Sequence, residues 1–170
     1  MMGLLRYLHR LLLGVWIGAL LCFGAVLAPA LFQALTPGQA GAVVHLIFPR
    51  LDAFTVAAGF VLLGLGVAAE GAPKGRARWR VGLLGAMTVL ALASAFAVTP
   101  RMAVLRSQAG GNISDLPRED PIRREFGRLH GVSSVLMLGE VLLGLAVLAL
   151  PFGREKEEGA LASRDALTQG

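Results

Sequence analysis

Residues 126–140, FGRLHGVSSVLMLGE, lead into an apolar stretch with a histidine at its mouth and a glutamate well inside. At helical spacing His130, Ser133, Ser134, Met137, Glu140 and Gly144 fall within about a third of the circumference. Glu140 follows His130 by ten residues, about 15 Å along a helix. If this stretch crosses a bilayer, its carboxyl sits near the middle. An acidic side chain there costs a few kcal/mol unless it is protonated or paired. Two chemistries fit: coordination of a proton or cation, or a neutral carboxyl hydrogen-bonded to a serine or a backbone carbonyl.

A second set of polar residues flanks other apolar runs. His45 and Arg50 precede one run, Asp52 begins it, and Arg101 follows another just after Pro100. With His130 they would meet at one membrane face. Arg101 is expected to pair with Asp52, either as a salt-bridged rim or as the vestibule of a metal or small-ligand site. Imidazole suits zinc, copper or haem iron, although two histidines without fixed spacing are a weak metal pattern. His9, with Trp16 seven residues on, is a further candidate haem or metal ligand, alongside His130.

The elements that must hold these groups are four apolar runs, at residues 11–32, 51–69, 81–99 and 129–150. Each is close to the roughly 20 residues a helix needs to cross hydrocarbon. In lipid the backbone has no helix-free alternative but a closed barrel, because unpaired amides are costly. The expected fold is therefore all-α, an integral membrane four-helix bundle over residues 1–152. The polar tail, 153–170, is expected to be disordered. Arg6 and Arg10 before an apolar run, with Ala-Pro-Ala at 28–30, resemble a signal peptide. The run is long for that and three more follow, so an uncleaved span is expected.

Connections carry their own signals. Thr36-Pro37-Gly38-Gln39 reads as a capping box with proline at the first helical position. It should open a short helix that Pro49 kinks or ends. Gly110-Gly111-Asn112 should break the long third connection, and Asp120-Pro121 should start a helix running into the last span. Small residues at four-residue spacing, Gly14, Gly18 and Cys22, form an edge suited to helix packing within the bundle or to a homo-oligomer contact. Gly85, Thr88, Ala91 and Ala95 form a similar stripe in the third run.

Composition agrees with a membrane protein: 55% of residues are hydrophobic, 16% are charged, and mean hydropathy is +0.67. The net charge of +5 comes from basic residues between apolar runs. These read as topology and headgroup contacts with the lipid bilayer, not as a nucleic-acid footprint. A single cysteine, Cys22, excludes an intrachain disulfide and a multi-cysteine metal site. With the N-terminus inside, the basic residues divide nine inside to seven outside, the inner ones concentrated between Lys74 and Arg80. This favours cytoplasmic termini in a bacterial inner membrane. No phosphate-loop glycine pattern, Ser-His-Asp set or HExxH motif is present, so enzymatic chemistry is not expected.

Several blocks also carry a family likeness. YLHRLLLGVWIGALLCFGAVLAPALF, LIFPRL, VTPRM and FGRLHGVSS, in that order, resemble the transmembrane protein 205-like family, whose bacterial members are known as a domain of unknown function. His9, Trp16, Phe48-Pro49, Pro100-Arg101, Phe126, His130, Gly131, Ser133 and Ser134 match its pattern. Met137 departs from it, standing where a polar asparagine is expected, and Glu140 lies outside it. The resemblance implies a four-span membrane protein without established biochemistry. A vertebrate relative linked to platinum-drug resistance implies export or metal handling. His9 followed by Trp16-Ile17-Gly18 also resembles copper-resistance protein D and small haem-binding protoporphyrinogen oxidases. The expected function is a small transporter or a metal- or xenobiotic-handling membrane protein acting as an oligomer. The alternatives are a haem-binding redox protein and a structural subunit without chemistry.

Overall fold

The computed structural model describes residues 2–70 and 76–150. The basic connection at 71–75 and the tail from 151 onward, including the expected disorder there, lie outside the described residues. Six α-helices run in the order α1 (Met2–Leu21), α2 (Ala28–Ala34), α3 (Pro37–Glu70), α4 (Arg76–Ala93), α5 (Thr99–Gln108) and α6 (Pro121–Ala149), and no strand occurs among the described residues. A π-helical turn, Cys22–Leu27, joins α1 to α2, and another, Ser94–Val98, joins α4 to α5. The result is four continuous spans, Gly3–Ala34, Pro37–Ala68, Ala77–Gln108 and Pro121–Ala149, each long and apolar enough to cross a membrane. The all-α four-helix bundle is thus the architecture found.

The helices run beyond the apolar runs, and the prolines explain where the sequence reading falls short. Pro49 does not end a short helix; α3 continues through it. Pro100 does not end the third span. A proline within a helix lacks an amide and presses on the carbonyl four residues back. Those carbonyls belong to Ala25 for Pro29 and Phe96 for Pro100, and each lies in a π-helical turn. There Ala28 donates to Phe23 O and Thr99 donates to Ser94 O, five residues back. The wider turn absorbs the proline without breaking the span. At Pro49 no π turn forms; instead the Arg50 guanidinium donates to the Leu46 carbonyl in the same stretch.

The predicted punctuation is otherwise present. Thr36 N–H donates to Gln39 Oε1 at 3.2 Å and Gln39 N–H to Thr36 Oγ1 at 3.4 Å, closing the capping box. Asp120 caps α6 by accepting from the Ile122 amide at 2.8 Å. Gly110 and Gly111 adopt φ of 64° and 93°, the left-handed region in which glycine avoids a Cβ clash.

Large apolar side chains such as Phe96, Val135 and Leu142 face outward, as a lipid-facing surface requires. The buried centre combines Leu13, Trp16, Ile17 and Leu20 of α1 with Leu62 of α3, Met87 of α4 and Val141 of α6. Helices approach closely at several glycines, among them Gly59 and Gly144. A Cβ on Gly59 would lie 2.6 Å from Thr88 Oγ1, and one on Gly144 would lie 2.7 Å from Ile17 Cγ1. The stripe of the third run therefore packs inside the bundle, with Thr88 and Ala91 buried. The first-span edge does not. Gly14, Gly18 and Cys22 are exposed, and a Cβ on Gly14 or Gly18 would meet nothing within 4 Å. The face of α1 rich in large side chains turns inward instead, because it offers more dispersion contact than a glycine row.

Candidate functional site

One end of the bundle holds a cavity of about 600 Å³, walled by the α1–α2 junction, the start of α3, α5 and the start of α6. Its walls are mostly apolar. Phe23 and Phe48 meet edge to face there, with ring centroids 5.4 Å apart. His45, Thr99, Arg106, His130, Ser133 and Ser134 supply polar groups, with Asn112 and Ser114 from the loop after α5. The loop after α5 covers it, held by Asn112, whose Nδ2 donates to Asp115 Oδ1 at 2.7 Å and whose Oδ1 accepts from the Ser114 amide at 3.2 Å. A Cβ on Gly38 would come within 2.8 Å of Asn112 Nδ2, so α3 carries glycine at its second position, where the loop crosses it.

The expected outer cluster forms only in part. His45 and His130 do share the cavity, each with an exposed side chain. Arg101 does not meet Asp52. Its Nε and Nη2 both donate to Glu125 Oε1, at 3.0 and 2.8 Å, on the exposed side of the bundle. Arg101 points away because it follows Asp52's true partner Thr99 by two residues, roughly 200° around a helix.

Asp52 is buried, and its carboxyl is held by hydroxyls from the third span. Ser94 Oγ donates to Oδ1 at 2.9 Å and Thr99 Oγ1 to Oδ2 at 2.5 Å. Ser94 and Thr99 are five residues apart, so on an ordinary α-helix they would point about 140° apart. The intervening π turn stacks them on one side, and that is what closes the carboxyl's two hydrogen bonds. Thr99 also forms part of the cavity wall, so one hydroxyl separates the cavity from Asp52.

The stripe on α6 turns its deeper part into the bundle, while His130 and Ser134 at its mouth are exposed. Ser133, Glu140 and Gly144 are buried. Ser134 is exposed and donates to the His130 carbonyl at 3.0 Å. Glu140 Oε2 accepts from Trp16 Nε1 at 3.0 Å, so the partner of the mid-helix carboxyl is an indole, not a serine or a carbonyl. Trp16 carries no exposed surface and Glu140 only 3%. Met137 lies between Ser133 and Glu140, lining the cavity, and a Cβ on Gly24 would touch its Cε at 2.8 Å.

His9 is buried at the far end of α1, where a Cβ on Gly66 would lie 3.9 Å from its Nε2. Measured along the helices from the Trp16–Glu140 contact, His9 lies about 10 Å one way and His130 about 15 Å the other. The two cannot share one iron. Among the described residues no group of three or more His, Cys, Asp or Glu is placed to hold a metal.

Residues the sequence reading did not select are Trp16 as a carboxyl partner, Ser94, Thr99 and Arg106. A hydroxyl pair before Pro100 was visible, but its stacking depended on a π turn that helical spacing does not foresee.

The helices and the polar interior define a four-span integral membrane protein with a cavity at one end. The chain belongs to the family described as a domain of unknown function (DUF4149), which matches residues 11–110. That match takes in Trp16, His45, Asp52, Ser94, Thr99 and Arg106, whereas His130, Ser133 and Glu140 lie beyond it. No curated protein and no solved structure matches the chain.

Proposed function

We propose that this is a small membrane transporter, in which the cavity receives a largely apolar molecule and Asp52 and Glu140 bind the proton or small cation that couples its movement. One observation carries the reading: two buried carboxyls, each satisfied by neutral hydrogen-bond donors, lie behind a ligand-sized cavity, Asp52 behind the wall residue Thr99 and Glu140 one helical turn past the wall residue Met137. Cavities of a few hundred Å³ with apolar walls and a few polar groups are the usual form of small-molecule sites. Intramembrane acids facing a bundle interior mark ion or proton pathways. The block-by-block likeness to the transmembrane protein 205-like family, with its export link, supports the same reading. A single bundle is narrow for a transport path, and the outward edge of Gly14, Gly18 and Cys22 supports assembly of several copies. The matching orientation has both termini in the cytoplasm and the cavity at the outer face of the inner membrane, as the basic residues favour.

Purified protein in proteoliposomes, with an imposed proton gradient and a panel of fluorescent apolar probes, tests the proposal. Gradient-dependent probe movement that is lost in Asp52→Asn or Glu140→Gln supports it. Equal leak with and without protein overturns it. A Soret band in the purified protein would favour the haem-binding alternative, with His9 or His130 as a ligand. Single cysteines at Ala77 and Gln108 in a Cys22→Ser background report the orientation; periplasmic labelling at 77 would reverse it.

A further inference from the structure

The cavity contains one formal charge whose partner is missing. Arg106 is half-buried in its wall, and among the described residues no carboxylate or carbonyl hydrogen-bonds to its guanidinium. The neighbouring arginines contrast with it. Arg101 is held by Glu125, Arg123 donates to the Ser114 and Leu116 carbonyls, and Arg50 donates to the Leu46 carbonyl. No Asp or Glu lines the cavity. Asp52 is near, but both its oxygens are occupied by the Ser94 and Thr99 hydroxyls and it lies behind the wall. The guanidinium rests against α3 at Gly41, where a Cβ would lie 2.9 Å from Nη1. Glycine at 41 therefore lets a cation reach the cavity edge.

From this charge and the apolar walls we infer that the cavity takes a single-chain amphiphile with one anionic headgroup, its head at Arg106 and its chain along Phe23, Phe48, Phe126 and Met137. A planar guanidinium suits a carboxylate or phosphate through two parallel hydrogen bonds. His45 and Asn112 lie on the same cavity wall and offer further donors. The cavity sits where the apolar runs end, at residues 32, 51, 99 and 129, which is headgroup level in a bilayer. An amphiphile lodged there keeps its charge at the interface and its chain in an apolar slot. The inference rests on the cavity being the ligand site proposed above, and it names the chemical class of that ligand.

The test uses the full chain in nanodiscs of neutral phosphatidylcholine, with a dansyl-labelled undecanoate as the reporter. Dodecanoate, dodecyl phosphate, dodecanol, dodecyltrimethylammonium and inorganic phosphate are the competitors. The two anionic chains should displace the reporter at concentrations at least about tenfold below dodecanol and the cationic chain, the least that a charge-assisted hydrogen bond provides. Inorganic phosphate should not compete. Arg106→Gln should erase the anionic preference while leaving dodecanol unchanged, and Arg106→Lys should restore part of it. Arg101→Gln, outside the cavity, should change nothing. Unchanged melting of each variant shows that the fold is retained. Equal displacement by all chains, or a cationic preference, overturns this inference and leaves the transport reading standing. Failure of every chain to bind overturns both.

Discussion

Trp16 and Glu140 form a buried polar contact between the first and last spans, and a double-mutant cycle can measure it. The indole N–H donates to Oε2 at 3.0 Å with both residues essentially buried. Glu140→Leu strands that N–H, at a cost of about 1–3 kcal/mol for an unsatisfied buried donor. Trp16→Phe removes the donor and leaves a small void. The coupling between the two changes isolates the hydrogen bond itself. A neutral carboxyl should give about 0.5–1.5 kcal/mol and a carboxylate about 1.5–3. Hydrogen bonds between membrane helices average about 0.6 kcal/mol, because the unfolded chain in lipid also finds partners. We expect a value in the neutral range, since the donor to this carboxyl is a neutral indole and both groups are buried. Thermal unfolding in a neutral detergent reads it, at about 2–4 °C per kcal/mol for a chain of this size. Glu140→Gln keeps an acceptor for the indole and should unfold within about 0.5 kcal/mol of the parent while losing gradient-dependent transport. A coupling below about 0.3 kcal/mol would mean that the contact contributes nothing to the fold. Destabilisation by Gln as large as by Leu would refute the claim that the carboxyl serves as an acceptor.

Other changes separate the inward from the outward glycines. Gly59→Ala should cost about 1–3 kcal/mol, since the new methyl meets the stiff, branched Thr88 side chain, whereas Gly14→Ala should stay within about 0.5 kcal/mol in a melting assay. If copies assemble along that outward edge, Gly14→Leu with Gly18→Leu should lower the apparent mass on size-exclusion light scattering without changing the monomer's helicity. Asp52→Leu should destabilise by about 1–3 kcal/mol by removing the acceptor of two hydroxyls, and Ser94→Ala should cost less because Thr99 still donates. Glu125→Gln should shift stability by under about 1 kcal/mol, since its pair with Arg101 is largely exposed and screened. A larger loss on denaturant unfolding would show that this pair orders the start of α6.

Hydropathy and spacing were sufficient for the membrane class, the four spans, the caps at Thr36 and Asp120, and the inward orientation of the deeper part of the α6 stripe. These properties are local: lipid admits only helices in a chain of this pattern, and helical geometry then fixes which residues share a face. His45 and His130 were also legible as sharing one end of the bundle, because each lies near the same end of its own span. The partners were not legible. Asp52 binds Ser94 and Thr99, and not Arg101, because a π turn ahead of Pro100 rotates the third span by an amount no regular helix predicts. Glu140 meets Trp16, and the Gly14 edge faces outward, because α1 turns its large side chains inward to gain contact. Arg106 reaches the cavity only because Gly41, on another helix, leaves it room. Each of these depends on how one helix is rotated against its neighbour. That rotation is set by side-chain packing across spans far apart in the chain, and so only the tertiary structure decides it.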